Sequence, residues 1–521
     1  MSVVPNLLKA TIKDLQWALA EKECTSVDLI EAYLAAIEKD NYQGLKLRAV
    51  IETGPREQLV EIARGLDEQR KAGKLMGPLH GIPLLIKDNI NTDPELGLKT
   101  TAGSFALVDA VVKEDATLIK RLRENGAIVL GKANLSEWAN YRQGENFLEG
   151  YGHLNNGWSA RGGACRSAYN PKRDPGGSST GSAVGVSAGF APASIGTETC
   201  GSIGNPASGQ GLFSIKPTVG LVSMAGVLPL CFSRDVAGPM TKCAYDAALL
   251  LSVIAGPDVK DPNTKRWPFE QNTVDFVKQT INPSLNGKRL GFYAFRPELI
   301  ATEAETDYKK KLMAEAIEKL RVHGATVFGE VEEIDFDVEG FRALDNMAEL
   351  TEFKEDIAVY FASLAKTPMR TLEDVIKFNI EHKDIEMPPE QPGQERFLQA
   401  QATKGRGDPE YIKANEDMIR IADQEGLRVV FDKYDLDGLV FFQQDDIGMP
   451  VWFASPARYP IVTVPLGYDE AISEPVTMSI VGRPWSEGKL IEMMAAWEAI
   501  FPPRRLPPAL EHPETFNKGG S

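Results

Sequence analysis

GGSSTGSAVGVSAGF, residues 176–190, is the stretch on which the interpretation of this chain depends. The pattern G-x-S-x-G occurs in it twice, around Ser179 and around Ser187, and is typical of the nucleophile turn of α/β-hydrolases. Its second half mixes glycine, serine and alanine with valine and phenylalanine. That mixture favours a tightly packed helix over a solvated linker.

The neighbouring residues argue against two familiar uses of such a stretch. A phosphate-binding loop needs lysine and then serine or threonine after its second glycine, whereas Ser182 and Ala183 follow Gly181. A nucleophile turn needs a buried strand before its serine and a histidine as base. The segment RSAYNPKRDPGG (166–177) is too polar for such a strand, and the chain has only 5 histidines. An α/β-hydrolase-type esterase therefore stays a lesser alternative.

Helical patterns and apolar strand patterns alternate along the whole chain, which predicts an α/β fold with a mixed, mostly buried sheet covered by helices. Strands are predicted around GIPLLIKDNI (81–90), AIVLG (127–131), ASIGTET (193–199), KRLGFYAF (288–295), ATVFG (325–329), DGLVFF (437–442), YPIVTVP (459–465) and VTMSIVG (476–482). Helices are predicted at 7–38, 56–72, 115–124, 304–323 and 487–500, with a helix restart at Thr25 or Ser26.

The chain contains no long linker, so we predict a single large domain over residues 1–521. Within it we expect four parts: N-terminal helices at 1–75, a core at 76–255, a helical flank or insert at about 300–435, and a C-terminal sheet and helix at 436–505.

Composition narrows the class of protein. Lys and Arg number 57 against 73 Asp and Glu, and the resulting formal charge of −16 argues against nucleic acid as a partner. The 5 cysteines form no C-x-x-C pair, which predicts free thiols and a cytoplasmic protein. No apolar run reaches the roughly 18 residues that a membrane span requires, and no cluster has the spacing of metal ligands. We therefore expect no metal and no cofactor.

Several segments together carry a resemblance to a known family. They are LHGIPLLIKDNI (79–90), GKANLSEWANYR (131–142), GWSARGG (157–163), GGSS (176–179), GTETCGSIGNPASGQG (196–211) and PIVTVPLG (460–467). In these segments the chain resembles the amidase signature family, hydrolases of carboxylic amides. NLSEWANYR and GWSARGG are most similar to peptide amidases and related fungal and bacterial amidases. The resemblance implies the amidase signature fold and amide hydrolysis without a cofactor.

The resemblance also implies a Ser–cis-Ser–Lys triad. Lys87 matches the family's catalytic lysine, Ser178 its bridging serine after a cis peptide bond, and Ser202, 24 residues later, its nucleophile. Lysine acts as a base only when it is neutral, and its usual pKa near 10.4 must be lowered by burial for that. Lys87 ends the apolar run IPLLI, where such burial is expected. The backbone N–H groups of Thr199, Cys200 and Gly201 are implied to form the oxyanion hole.

Other residues are candidates for the substrate pocket or its support. They are Ser179, Asp235, Trp138, Arg142, Trp158, Arg161 and the segment 443–453. Ser179 is expected to hold its loop through backbone hydrogen bonds, and Asp235 to fix a loop near the site. For the Trp and Arg candidates, lining the pocket and simple packing are equally open. Gly204 replaces an arginine that in some members of the family holds a substrate carboxylate, which favours neutral amides or C-terminally amidated peptides.

Two further interpretations stay open. The chain could be the ammonia-generating subunit of a tRNA-dependent amidotransferase, which would need a second, partner chain; Gly204 and the acidic charge argue against it. A thiol nucleophile at Cys200 has no obvious base beside it, and a packed thiol is the better interpretation. The expected partners are a small-molecule or peptide amide and water, and the chain is expected to be a monomer or a homodimer.

Overall fold

A mixed β-sheet forms the centre of the protein in its computed structural model, which describes residues 3–142, 156–293, 303–331, 336–442 and 449–511. The order of its 11 strands is β1-β3-β2-β6-β8-β7-β12-β13-β11-β9-β10, and a separate hairpin pairs β4 with β5. The strand bounds are β1 Val50–Thr53, β2 Pro83–Lys87, β3 Ile128–Ala133, β4 Trp158–Ser159, β5 Gly163–Ala164, β6 Ala193–Glu198, β7 Phe213–Lys216, β8 Val236–Thr241, β9 Arg289–Tyr293, β10 Thr326–Val331, β11 Gly438–Phe441, β12 Ile461–Asp469 and β13 Glu474–Val481.

Parallel pairing within this sheet brings three strand ends to one edge. Strand β2 lies parallel to both β3 and β6, and β9 lies parallel to β10 and β11, whereas the other neighbours are antiparallel. All residues of β2, β3 and β6 are buried, as expected for strands covered on both faces. The residues that follow these three strands therefore meet at the same edge of the sheet.

Helices cover the sheet, and most of them occur where the sequence predicts them. The helix bounds are α1 Ile12–Ala20, α2 Ser26–Ala36, α3 Arg56–Lys71, α4 Thr117–Glu124, α5 Thr180–Ser187, α6 Gly204–Gly209, α7 Ala244–Ile254, α8 Glu303–Val322, α9 Val338–Ser363, α10 Leu372–Glu381, α11 Lys383–Glu386, α12 Glu395–Ala402, α13 Pro409–Ala422, α14 Arg428–Tyr434, α15 Met449–Ala454, α16 Glu487–Ile500 and α17 Pro508–Glu511. No helix in the described ranges is long and apolar enough to cross a membrane. The predicted α/β class with a mixed sheet is confirmed.

The predicted N-terminal helix at 7–38 is two helices rather than one. Thr11 and Thr25 each form a capping box, in which the threonine side chain accepts from the backbone N–H three residues on and the aspartate there accepts in return. Because Thr25 caps α2 in this way, the chain leaves the first helix after Ala20 and begins a new one at Ser26. The restart expected at Thr25 or Ser26 is therefore a complete break.

The serine-rich stretch forms a packed helix, as its small apolar residues predict. All eight residues of α5 are buried, and the helix packs against β2, β3 and β6. Helix α5 begins directly after Ser179 and precedes β6, so its first turn lies at the sheet edge where β2 and β6 end. The opening Gly-Gly-Ser-Ser residues are thereby brought next to that edge.

The helices from α9 to α14 form a flank, part of which packs against the segments that contain Trp138 and Leu230. Phe353, Tyr360 and Phe397 of this flank share a buried apolar cluster with Trp138 and Leu230. The phenyl ring of Phe397 meets the indole of Trp138 edge-on, with ring centroids 5.6 Å apart. The flank therefore supports loops that lead to the carboxyl ends of the parallel strands.

Candidate active site

Lys87 is the last residue of β2, and its side chain is fully buried. Its Nζ donates hydrogen bonds to Ser178 Oγ at 2.9 Å and to the carbonyl oxygen of Thr197 at 3.1 Å. Burial lowers the pKa of Lys87 to about 7, although the carboxylates of Asp235 and Glu198 act in the opposite direction. A large fraction of the amine is therefore neutral at pH 7, as a lysine base requires.

Ser178 follows a cis peptide bond between Gly177 and Ser178. Its hydroxyl is buried against Lys87, and its carbonyl oxygen accepts from Ser136 N at 3.0 Å. A side chain at position 177 would place its Cβ 2.3 Å from Asn156 Oδ1 and 2.6 Å from Ser136 Oγ. A larger residue before Ser178 would therefore require the side chains of Asn156 and Ser136 to move.

Ser202 lies four residues beyond the end of β6, in the turn that leads into α6. It is nearly buried, and its carbonyl oxygen accepts from Ser179 N at 3.1 Å. Gly201, just before it, has φ of +81°, while a Cβ there would meet nothing closer than Val451 Cγ1 at 3.7 Å. The backbone conformation, rather than a lack of space, therefore favours glycine at position 201.

The backbone of Thr199, Cys200 and Gly201 offers free donors beside Ser202. Within the described residues, the N–H groups of these three residues have no hydrogen-bond acceptor. The segment is held by other groups, because the carbonyl oxygen of Thr199 accepts from Ser455 Oγ at 2.6 Å. These N–H groups next to a hydroxyl are therefore available to an acceptor from outside the described residues.

A narrow cavity lies beside Ser178, Thr199 and Ser202. Its volume is about 10 Å³, which holds one water-sized group. Its lining contains both polar and apolar side chains. The described lining residues are Asn89, Ala102, Trp138, Ala139, Ser178, Thr197, Glu198, Thr199, Ser202, Met224, Val227, Leu228, Pro229, Leu230 and Asp235. No described residue of this lining is a histidine. Within the described part, the titratable amine next to the cavity is that of Lys87, which contacts the lining residue Ser178.

Asp235 ties the apolar wall to the turn before Ser202. Its carboxylate accepts from Thr199 Oγ1 at 2.6 Å and from the backbone N–H groups of Leu230 and Cys231 at 2.7 and 3.0 Å. Burial raises the pKa of Asp235 to about 7, against the effect of these three hydrogen bonds. Asp235 therefore lies at the cavity and fixes the loop from residue 230 onward relative to Thr199.

Ser179 and Ser187, the two serines of the G-x-S-x-G patterns, both point to backbone groups. Ser179 Oγ donates to the carbonyl oxygen of Thr197 at 2.9 Å and accepts from Thr197 N at 3.2 Å. Ser187 Oγ donates to the carbonyl oxygen of Gln210 at 3.3 Å. Neither serine lines the cavity in the described part of the chain.

Among the aromatic and arginine candidates, only Trp138 lines the cavity. Arg142 is fully buried, forms an ion pair with Glu137 at 2.6 Å and donates to the carbonyl oxygens of Gln391 and Gly393. Arg142 therefore joins the Trp138 segment to the loop that precedes α12. The part of segment 443–453 from residue 443 to 448 lies outside the described residues.

The candidates Trp158 and Arg161 also pack and pair. The guanidinium of Arg142 lies over the Trp158 ring, 5.4 Å from its centroid. Arg161 bonds to Glu52 at 2.8 Å and to Thr101 Oγ1 at 3.0 Å.

Sequence patterns alone did not indicate several residues of this site. Asn89 and Thr197 line the cavity and hydrogen-bond to each other, and Glu198 Oε2 accepts from the N–H groups of Ile203 and Gly204 at 2.7 and 3.0 Å. Asn89 lies two residues after Lys87, and Thr197 and Glu198 lie within the glycine-serine block around Ser202. The sequence signal for Asn89, Thr197 and Glu198 was therefore their closeness to the motif residues along the chain. In the described ranges no group of three His, Cys, Asp or Glu side chains is arranged to hold a metal ion.

The comparisons agree with this fold. Residues 28–491 match the family described as Amidase. The chain therefore belongs to the amidase family. The structure of native peptide amidase from Stenotrophomonas maltophilia is similar, with a TM-score of 0.86 and 40% identity, covering 96% of this chain and 98% of that one. This membership, with the matching fold, replaces the α/β-hydrolase alternative.

Two curated relatives show the breadth of the family. A probable amidase of Arabidopsis thaliana is 38% identical over 502 residues, covering 95% of this chain and 90% of the relative. A chain of the glutamyl-tRNA(Gln) amidotransferase of Chloroflexus aurantiacus is 30% identical over 529 residues, covering 94% and 96%. The protein is an amidase-family enzyme in both its sequence and its fold.

Proposed function

We propose that this enzyme hydrolyses neutral carboxylic amides through an acyl-enzyme on Ser202, with Ser178 and Lys87 as the proton relay. The observation that carries the proposal is the 2.9 Å contact between Ser178 Oγ and a fully buried Lys87 whose pKa is lowered to about 7. Ser178 and Ser202 line the same cavity. A hydroxyl, a relay and a neutral amine are the groups that amide hydrolysis without metal or histidine requires.

The proposed reaction proceeds in two halves. Ser202 Oγ attacks the carbonyl carbon while its proton passes to Ser178 Oγ, whose own proton passes to the lone pair of neutral Lys87. A tetrahedral intermediate forms, and the relay runs in reverse to protonate the amide nitrogen as the C–N bond breaks. Ammonia or an amine leaves, and the acyl group stays on Ser202. Water then attacks by the same route and releases the carboxylic acid, which returns Ser202 and Lys87 to their starting protonation states.

The oxyanion of both tetrahedral intermediates needs donors that are already in place. The N–H groups of Thr199, Cys200 and Gly201 fit this role because no described residue accepts from them. Asp235 supports them through its 2.6 Å hydrogen bond from Thr199 Oγ1. Removing one such donor typically lowers kcat by about 10²–10³ fold.

Neutral amides, including C-terminally amidated peptides, are the proposed substrates. Gly204 provides no cation for a substrate carboxylate, and Met224, Val227 and Leu228 give the cavity an apolar wall. The similarity to a peptide amidase structure supports the same substrate class. We also propose a cytoplasmic location, which the five unpaired cysteines support.

Active-site labelling and a substrate screen test this function together. A fluorophosphonate probe should add one label, on the peptide that contains Ser202, and Ser202→Ala should abolish both labelling and hydrolysis. Ser187→Ala serves as the matched control because Ser187 is a serine of the same stretch that, among the described residues, bonds to the backbone of Gln210 and to Arg504. Labelling at Ser179 or Ser187, or turnover by Ser202→Ala, would contradict the proposal.

The 30% identity to an amidotransferase chain supports one other candidate, ammonia release from glutamine for a partner protein. A glutaminase assay separates the two functions. We expect wild-type kcat/KM for glutamine to be well below that for a neutral amide of similar size. A preference for glutamine would mean that the inference from Gly204 is wrong and would favour the second candidate.

A further inference from the structure

Asn89 presents an unused hydrogen-bond acceptor at the cavity. The residue is 4% exposed, lines the cavity and follows Lys87 by two positions. Its Nδ2 donates to Thr197 Oγ1 at 3.0 Å and to the carbonyl oxygen of Leu228 at 3.4 Å. Its Oδ1 is buried and receives no hydrogen bond from any described residue. A buried carboxamide oxygen without a donor is unfavourable, so such groups are rarely left unpaired.

The orientation of this carboxamide follows from its neighbours. The carbonyl oxygen of Leu228 can only accept, so it must face the NH₂ group of Asn89. Exchanging the two ends of the carboxamide would bring two oxygens together. Oδ1 is therefore the atom left without a partner, and Asn89 provides an acceptor rather than a donor.

Thr197 connects Asn89 to the proposed relay. The carbonyl oxygen of Thr197 accepts from Lys87 Nζ at 3.1 Å, and its Oγ1 accepts from Asn89 Nδ2 at 3.0 Å. Asn89 thus belongs to the Lys87–Ser178 side of the cavity. In the proposed reaction, the leaving nitrogen must approach this side to receive its proton from Ser178.

We infer that Asn89 Oδ1 accepts a hydrogen bond from the NH₂ group of a primary carboxamide, which makes Asn89 a residue that determines specificity for unsubstituted amides. The inference rests on the proposed function. A primary amide carries two N–H donors, and holding one of them on Asn89 turns the nitrogen lone pair of the tetrahedral intermediate towards Ser178. An ester oxygen has no hydrogen to donate.

A matched pair of substrates tests the inference. N-acetyl-L-leucinamide and N-acetyl-L-leucine methyl ester share one acyl group and differ in the leaving group. In Asn89→Leu we expect the ratio of kcat/KM for the amide to kcat/KM for the ester to fall about tenfold relative to wild type, the scale of a lost hydrogen bond at a buried site. Thr197→Val removes the hydroxyl that orients Asn89 and should lower the same ratio by a smaller factor.

Asn379→Leu is the matched control. Asn379 in α10 is also buried, donates through Nδ2 to Gln394 Oε1 at 3.0 Å, and has an Oδ1 without a partner in the described part of the chain. This variant should leave the amide-to-ester ratio unchanged even if stability falls. An equal loss for amide and ester in Asn89→Leu would overturn the inference and leave Asn89 as a purely structural residue.

The proposed function is tested separately from this specificity. Ser202→Ala should lose turnover of both substrates, so activity in that variant would contradict the acyl-enzyme itself. If Asn89→Leu does not fold, as judged by circular dichroism and thermal unfolding, Thr197→Val carries the measurement. An unchanged ratio in a folded Thr197→Val would then count against the role of Asn89.

Discussion

Two buried lysines on neighbouring strands differ in what they contact. Lys87 ends β2 after IPLLI, and Lys132 lies near the end of β3 after AIVLG, so their sequence contexts are almost the same. Both side chains are fully buried. Lys87 bonds to a hydroxyl that lines the cavity, whereas Lys132 donates to the carbonyl oxygen of Ile90 at 2.5 Å and to Thr100 Oγ1 at 3.0 Å.

The electrostatic difference between the two lysines is small. Burial lowers the pKa of Lys87 to about 7 and that of Lys132 to about 8, where the nearby Asp88 carboxylate partly opposes the effect. A lowered pKa alone therefore does not identify a base. The contact with Ser178, at a cavity that also holds Ser202, distinguishes Lys87.

The largest expected effect comes from exchanging each lysine for methionine. Lys87→Met should lower kcat/KM for a neutral amide by about 10³-fold or more, since it removes the proposed general base. Lys132→Met should keep kcat within several fold of wild type and instead lower the free energy of unfolding by about 2 kcal/mol, because Asp88 loses a nearby positive charge. Steady-state kinetics and urea unfolding check both variants. Similar losses of activity in the two folded variants would mean that the contact with Ser178 does not distinguish Lys87 from Lys132 in catalysis.

The next effect separates the paired serines. Ser178→Ala should lower the acylation rate by about 10²-fold, the scale of a lost proton relay. Ser179→Ala should reduce acylation less and lower stability by about 1–2 kcal/mol, because Ser179 Oγ bonds to both backbone groups of Thr197. Single-turnover acylation and thermal unfolding measure the two effects. A larger kinetic loss at Ser179 would mean that Ser179, rather than Ser178, carries the relay.

A pH profile tests the amine itself. In the proposed reaction neutral Lys87 is the active form, so kcat/KM should fall about tenfold per pH unit below its pKa of about 7 and level off above it. Asp235 also titrates near pH 7, since burial raises its pKa to about 7. Lys132→Met should keep the inflection, and Asp235→Asn should keep it but move it to lower pH, because the Asp235 carboxylate raises the pKa of Lys87; both results would identify Lys87 as its source. An inflection that disappears in Asp235→Asn would assign the titration to the carboxylate instead.

The sequence predicted the elements of this site better than their contacts. The runs IPLLI and AIVLG predict two buried strands, and Thr25 predicts a helix restart, because burial and capping depend on local residue types. The unpartnered oxygen of Asn89 could not be predicted, since it depends on Thr197 and Leu228, which lie 108 and 139 residues away. The family resemblance indicated Lys87, but the difference from Lys132 appears only in the folded chain.

The smallest expected effect concerns the thiol of Cys200, a half-buried titratable group two residues before Ser202. Burial raises the pKa of Cys200 well above its ordinary value, and the acidic side chains of Asp345 and Glu349 act in the same direction. Its Sγ lies 3.9 Å from the carbonyl oxygen of Val451. The thiol is therefore protonated at neutral pH and is a poor nucleophile.

Cys200→Ala should accordingly keep kcat/KM within about threefold of wild type, because the proposed oxyanion hole uses only the backbone N–H of this residue. Gly201→Ala is the matched variant. A Cβ at position 201 has space, 3.7 Å from Val451, but the φ of +81° disfavours alanine by roughly 1–2 kcal/mol and should displace the neighbouring N–H groups. We expect Gly201→Ala to lose clearly more activity than Cys200→Ala in the same assay. A loss in Cys200→Ala as large as that in Ser202→Ala would make the thiol, rather than the hydroxyl, the attacking group.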